Sequence, residues 1–191
     1  MAKLYFRHGT VGCAKTLNLL AVAHNYKQHG YKVLLIKPEI DDRFGKDVIK
    51  ARAGLETKAD IVVPQDSTNI DFPDLSDVVC ILVDEAQFLP SKIIDQLYNI
   101  TCLKKGPPVI CYGLRTDFRR NIFPAALRLM ELADNIEEIK TVCVYCLKKA
   151  KFNLKLINGK PTLDGPSVEL GCEEKYLPAC GTCYNTAHGI I

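Results

Sequence analysis

The sequence lacks the features of a membrane, secreted or disordered protein. No apolar run approaches the roughly 18 residues that cross a bilayer, and no basic stretch followed by a long apolar one stands at the start. No segment is repetitive, and 48% of the 191 residues are hydrophobic, as in globular proteins. The 25 basic and 22 acidic residues are spread along the chain, without the clustered basic face that duplex binding normally needs. We expect a globular, cytoplasmic protein with no membrane and no nucleic acid as a partner.

Cysteine, by contrast, is abundant, with nine residues in the chain. Four of them form two C-x-x-C pairs, which without a secretion signal favours metal over disulfides. Such pairs supply the four thiolates of a tetrahedral structural zinc site. The predicted ligands are Cys143, Cys146, Cys180 and Cys183. Cys80, Cys102 and Cys111 lie in apolar runs and are predicted to be core residues.

Two kinds of pattern divide the chain. Apolar runs at residues 3–7, 31–36, 78–83 and 109–114 have the composition of buried strands, and segments with helical spacing lie between them. This alternation is typical of a parallel sheet covered on both faces. From about residue 141 the pattern changes: a C-x-x-C pair comes first, and then Phe152, Leu154 and Leu156 alternate with polar residues up to an Asn-Gly turn at 158–159, as in a hairpin. We therefore predict an α/β domain at 1–140 and a zinc-ribbon subdomain at 141–191.

A phosphate-binding loop is predicted directly after the first strand. Its sequence approximates the P-loop pattern G-x-x-x-x-G-K-[ST], and a helix follows. In such a loop backbone N–H groups hold the phosphates of ATP, Lys15 reaches the β and γ phosphates, and Thr16 holds Mg²⁺. The loop consists of Gly9, Thr10, Val11, Gly12, Cys13, Ala14, Lys15 and Thr16.

Ala14 departs from the pattern, which has a second glycine at this position. If the backbone there takes a positive φ, alanine costs on the order of 1 kcal/mol, because its Cβ crowds the carbonyl. The extra glycine at Gly12 is expected to relieve part of that strain.

An acidic pair follows the apolar strand at 78–83. Asp84 would stand at the carboxyl end of the strand, where open α/β sheets bind ligands, and would hold Mg²⁺ directly or through water. Glu85 could act as a base toward an acceptor hydroxyl, or orient water in an ATPase. The loop and the acids together predict a P-loop, RecA-like parallel sheet flanked by helices.

The ordered set of motifs resembles the zinc-containing thymidine kinases shared by bacteria and animals, the cytosolic type. The likeness covers essentially the whole chain: the phosphate loop, EIDDRFG at 39–45, DEAQF at 84–88, YGLRTDFR at 112–119 and the cysteine pairs. It implies transfer of the γ-phosphate of ATP to the 5′-hydroxyl of thymidine, with Mg²⁺ and a structural zinc ion. It also implies a homotetramer inhibited by thymidine triphosphate.

The resemblance also implies roles for single residues. Glu85 resembles the general base, and Asp41 and Arg43 lie in a segment that reaches the phosphates. Phe118 would pack against thymine, with Leu114 near its 5-methyl group, so preference over deoxyuridine should be moderate. The nucleotide-binding D-E-x-Q stretch is Asp84, Glu85, Ala86 and Gln87. The lasso loop that closes over the base is Ser167, Val168, Glu169, Leu170 and Gly171, followed by Tyr176.

Two alternatives keep the same fold. One is a degenerate P-loop protein whose zinc ribbon binds a partner or nucleic acid, suggested by Ala14 and opposed by Lys15, Asp84 and Glu85. The other is an ATPase without nucleoside kinase activity, which would use the same phosphate site.

Overall fold

The computed structural model of the protein describes residues 2–167 and 176–191. Its helices are α1 (Lys15–Gln28), α2 (Ser91–Cys102), α3 (Pro124–Leu132) and α4 (Gly181–Ala187), with a short 3₁₀ helix at Ala86–Phe88. Its strands are β1 (Leu4–His8), β2 (Lys32–Pro38), β3 (Val48–Lys50), β4 (Glu56–Lys58), β5 (Ile61–Val63), β6 (Val78–Val83), β7 (Val109–Gly113), β8 (Asn135–Glu138), β9 (Phe152–Ile157), β10 (Lys160–Pro161) and β11 (Tyr176–Ala179).

A six-stranded sheet with the order β5-β2-β6-β7-β1-β8 forms the centre, and all its strand pairs are parallel. The central strands are buried because apolar side chains from helices cover both faces. One face packs against Ile93 and Leu97 of α2 and Leu129 of α3, the other against Leu19 and Ala23 of α1. The predicted α/β fold is confirmed.

Most of the predicted elements agree closely with the observed ones. The four apolar runs became β1, β2, β6 and β7, with ends that differ by no more than two residues. The sequence did not reveal β5 and β8, which are short strands at the edges of the sheet. The prediction that Cys102 is a core residue is wrong, because this last residue of α2 is exposed, whereas Cys80 and Cys111 are fully buried.

The C-terminal part has its own small sheet and core. In it β9 pairs antiparallel with both β10 and β11, and Asn158 and Gly159 take φ values of 51° and 73°, as a tight hairpin turn requires. Leu154 and Tyr184 pack with Cys143, Cys180 and the partly buried Cys183 in a separate cluster. The polar residues of β9 are buried as well, so this strand is covered on both faces.

Among the helices formed by residues 2–167 and 176–191, none combines the length and apolar character that a membrane span needs.

Candidate active site

The strand order brings the phosphate loop and the acidic pair to one edge of the sheet. β7 alone lies between β1 and β6, and all three run parallel, so their carboxyl ends meet at this edge. A cleft of about 340 Å³ opens there. Of the predicted residues it is lined by Val11, Gly12, Cys13, Ala14, Lys15, Thr16, Arg43, Glu85, Gln87, Leu114, Phe118, Ser167 and Tyr176. Five predicted residues are not part of this lining: Ala86 is buried in the core, and the other four are bonded to residues that line the cleft, namely Gly9, Thr10, Asp41 and Asp84.

Hydrogen bonds between its own residues hold the phosphate loop in place. Lys15 is buried, and its Nζ donates to the carbonyl oxygens of Thr10 at 2.8 Å and Gly9 at 3.3 Å. The Gly9 N–H donates to the carbonyl of Gly113 at the end of β7. A Cβ at Gly9 would lie 2.5 Å from Cys13 Sγ, so only glycine fits this turn. The loop therefore encloses the lysine that the P-loop pattern assigns to phosphate.

Ala14, which stands where the P-loop pattern has its second glycine, takes the left-handed backbone conformation. Its φ is 65° and its ψ is 29°, and it stands immediately before α1 without a side-chain cap. Gly12 also has a positive φ, 71°, with open space where a Cβ would be. The strain expected at Ala14, on the order of 1 kcal/mol, is thus present in the folded loop.

Two side chains that could ligate a metal through oxygen meet at the cleft, one at the start of α1 and one directly after β6. The Thr16 hydroxyl lies 3.2 and 3.1 Å from the two carboxylate oxygens of Asp84 and donates to them. Asp84 is only 4% exposed, and burial, followed by the charges of Glu85 and Asp41, raises its pKa. A cation here would offset that concentration of negative charge. A hydroxyl and a carboxylate are ligands that suit Mg²⁺.

Glu85 faces a different set of partners. Its carboxylate accepts hydrogen bonds from Arg43 Nη2 and Gln87 Nε2, both at 2.7 Å, and Arg43 Nε donates to Asp41 at 2.5 Å. Burial works to raise the pKa of Glu85, but Arg43, Lys15 and Gln87 outweigh it and hold the pKa below its usual value. Glu85 is therefore an ionised carboxylate at the cleft wall, able to accept a proton.

Gln87 joins the ends of two strands. Its Nε2 donates to Glu85, while its Oε1 accepts the backbone N–H of Leu114 at 2.8 Å. A Cβ at Gly113 would lie 2.7 Å from the same Oε1, so glycine is needed there. Gln87 thus fixes the Glu85 side chain relative to the segment that carries Leu114.

Aromatic residues form the far side of the cleft. The ring of Phe118, only 1% exposed, lies 6.2 Å from that of Tyr176. Val168, Glu169, Leu170 and Gly171, predicted to lie in the lasso, fall outside the described residues.

Sequence reasoning missed several residues of this wall. Phe88 and Phe123 line the cleft in an edge-to-face pair, with ring centroids 5.8 Å apart, and Asn153 of β9 reaches it from the C-terminal part. Phe88 directly follows the D-E-x-Q stretch, which was a usable signal. Asn153 had none, because it lies far along the chain from the rest of the cleft.

The two cysteine pairs come together as predicted. The sulfur atoms of Cys143, Cys146, Cys180 and Cys183 all lie within 4.8 Å of one another. Tetrahedral zinc with bonds of about 2.3 Å would separate its sulfurs by roughly 3.8 Å, which this cluster approaches. Burial works to raise the pKa of Cys143, but backbone hydrogen bonds at Cys180, Tyr145 and Cys146 lower it to about 6. The cluster could hold a metal ion, consistent with structural zinc.

A glycine-containing loop between β1 and α1, an acidic pair at the end of β6 and a four-cysteine cluster define a P-loop protein whose C-terminal part could hold a metal ion. The family model described as thymidine kinase matches residues 2–184. A thymidine kinase of Lactococcus lactis is 37% identical over 186 residues, which cover 96% of this chain and 97% of the relative. One of Chromobacterium violaceum is 39% identical over 188 residues, covering 97% and 99%. The chain belongs to the thymidine kinase family.

The backbone at Ala14 generates a stability prediction. Replacing Ala14→Gly should raise the free energy of unfolding by about 0.5–1 kcal/mol, because relief of left-handed strain exceeds the extra entropy of an unfolded glycine. The matched control is Ala133→Gly, since Ala133 has an ordinary φ of −67° and should lose stability. Denaturant unfolding measures both changes. Equal destabilisation by the two substitutions would show that Ala14 is not strained.

Proposed function

We propose that this protein transfers the γ-phosphate of ATP to the 5′-hydroxyl of thymidine and so makes thymidine monophosphate for DNA synthesis by salvage. The observation that carries the proposal is the Glu85 carboxylate, bonded by Arg43 and Gln87 and lining the same cleft as the phosphate loop. The match to thymidine kinases over nearly the whole chain favours this function over a binding protein or an ATPase.

ATP would bind with its phosphates on the loop between β1 and α1. The first N–H groups of α1, which have no partner within the helix, would donate to them, and Lys15 would exchange its carbonyl partners for the β and γ phosphates. Thr16 and Asp84 would hold Mg²⁺, which when bound neutralises charge on the phosphate oxygens. Burial of Asp84 favours this role, because an adjacent cation compensates a carboxylate that water does not reach.

Glu85 would act as the general base. The 5′-hydroxyl oxygen of thymidine forms a bond to the γ-phosphorus, the bond from that phosphorus to the bridging oxygen of ADP breaks, and Glu85 takes the hydroxyl proton. Arg43 would keep Glu85 ionised and face the transferred phosphoryl group, while Asp41 orients Arg43.

Thymine would lie against Phe118, with Leu114 near the 5-methyl group and Tyr176 beside the base. Ser167 and the segment 168–171 that follows it would close over the base and exclude water from the transfer. Because one methyl group in an apolar pocket contributes only about 1–3 kcal/mol, deoxyuridine would be a poorer but usable substrate.

The four cysteines would hold a structural zinc ion, since every tetrahedral position is filled by the protein. We propose a division into an ATP-binding domain at 1–140 and a zinc-ribbon subdomain at 141–191, which the separate cluster around Leu154 favours. A homotetramer and feedback inhibition by thymidine triphosphate are proposed from the family resemblance.

The first test is product formation. Incubation with ATP, Mg²⁺ and thymidine should yield equal amounts of ADP and thymidine monophosphate, measured by anion-exchange chromatography. Deoxyuridine should react with a kcat/KM about 10–200-fold lower. ADP without the monophosphate would indicate an ATPase, and no turnover by folded, metal-loaded protein would indicate a binding protein.

The second test addresses Glu85. Glu85→Gln should lower kcat by about 10²–10⁴-fold, because an amide cannot accept the proton, while the affinity for ATP changes little. Glu131→Gln is the matched control, since Glu131 pairs with Arg128 on α3. Steady-state kinetics and calorimetry with an ATP analogue separate the two effects. An equal loss of ATP affinity would place Glu85 in the metal site instead.

The third test addresses the cysteine cluster. The purified protein should contain one zinc ion per chain, and Cys146→Ser should lower the zinc content and the thermal unfolding midpoint. We expect a fall of about 5–10 °C, since each kcal/mol corresponds to about 2–4 °C in a chain of this size. Cys102→Ser is the control, because Cys102 is exposed and lies outside the cluster. Unchanged zinc content in Cys146→Ser would contradict the assignment.

A further inference from the structure

One side chain of the C-terminal part is bonded to two loops of the active site at once. Asn153 lies in β9 and is only 4% exposed. Its Oδ1 accepts the backbone N–H of Val11 at 2.9 Å, although the two residues are 142 positions apart. Its Nδ2 donates to the carbonyl of Thr116 at 3.4 Å. Val11 belongs to the phosphate loop, and Thr116 begins the segment that carries Phe118.

The phosphate loop needs support from outside. Its backbone is strained at Ala14, and a strained conformation persists only where the surroundings determine it. The bonds from Lys15 to Gly9 and Thr10 lie inside the loop and would be lost when Lys15 turns to phosphate. The bond from Val11 to Asn153 comes from another sheet and does not depend on Lys15.

The strand that carries Asn153 is itself anchored beside the cysteine cluster. The next residue, Leu154, is fully buried in the core that contains Cys143 and Cys180. Asn153 pairs with Pro178 of β11, which leads directly into Cys180. The position of Asn153 therefore depends on the part of the chain that the metal would stabilise.

We propose that Asn153 is a positioning residue that holds the phosphate loop in its ATP-binding conformation, and that the metal-stabilised ribbon supports ATP binding through this amide. The inference rests on the proposed function, in which the loop binds ATP. Asn153 acts through the Val11 N–H rather than by contact with the phosphates. Asn153 also bonds Thr116, so the phosphate loop and the segment that carries Phe118 are held by the same side chain.

The test measures the affinity for a non-hydrolysable ATP analogue by calorimetry, without nucleoside. Asn153→Ala and Asn153→Leu should each weaken binding roughly tenfold, as expected when the partly buried Val11 N–H loses its acceptor. Asn185→Ala is the matched control, because Asn185 lies in α4 of the same part and bonds Arg120. Its affinity should equal that of the wild type.

Hydrogen exchange provides the readout that a general loss of packing would not reproduce. In both Asn153 variants the peptide covering residues 9–14 should exchange faster, while peptides from β6 and β7 remain as in the wild type. If the variants lose metal or unfold, the same two measurements are made on the wild type with and without a chelator. Removal of the metal should speed hydrogen exchange in the loop and lower the affinity for the ATP analogue.

Two outcomes would overturn the inference. Unchanged affinity for the analogue with a raised KM for thymidine would make Asn153 a nucleoside contact only. Unchanged loop exchange after both substitution and metal removal would show that the amide does not hold the loop. If the wild type itself failed to bind the analogue, the proposed function would be wrong instead.

Discussion

Two adjacent carboxylates at the end of a buried strand must be compensated, and most of the cleft is built from the groups that compensate them. An uncompensated carboxylate in such a place is costly, because water no longer solvates its charge. Thr16, at the start of α1, donates a hydrogen bond to Asp84. Arg43, in the segment after β2, and Gln87, in the 3₁₀ helix, donate hydrogen bonds to Glu85. Groups far apart in the chain are thereby drawn to one edge of the sheet.

The same surroundings separate the two acids chemically. Asp84 has its pKa raised by burial and by neighbouring negative charge, whereas Arg43 and Lys15 hold the pKa of Glu85 below its usual value. Neighbouring carboxylates with opposite shifts are suited to different tasks. Under the proposed function a cation would take the place of a proton on Asp84, whereas Glu85 is kept free of a proton by Arg43 and could receive the one from the hydroxyl. The opposite shifts follow from what each side chain faces: a hydroxyl and neighbouring carboxylates around Asp84, and the Arg43 guanidinium around Glu85.

Much of this architecture was predictable because it depends on neighbouring residues. Continuous apolar runs specified β1, β2, β6 and β7, and the Asn-Gly turn specified the hairpin of β9 and β10, since strand burial and turn chemistry are local properties. The P-loop pattern has a glycine at the position of Ala14, which raised the question of a positive φ that the structure answers. The edge strand β8 was missed because its side chains are mostly exposed and carry no apolar pattern. Cys102 was misplaced because composition does not tell which side of a helix faces the core.

The residues alone therefore specified the strands, the phosphate loop and the cysteine pairs, each encoded over a few consecutive positions. The bond from Val11 to Asn153, the ion pair of Arg43 with Glu85 and the edge-to-face contact of Phe88 with Phe123 could not be read in this way. These contacts join side chains that the path of the chain brings together, and they depend on strand order and on the angle at which separate sheets meet. Local preference carries no information about either, so they became visible only in the folded molecule.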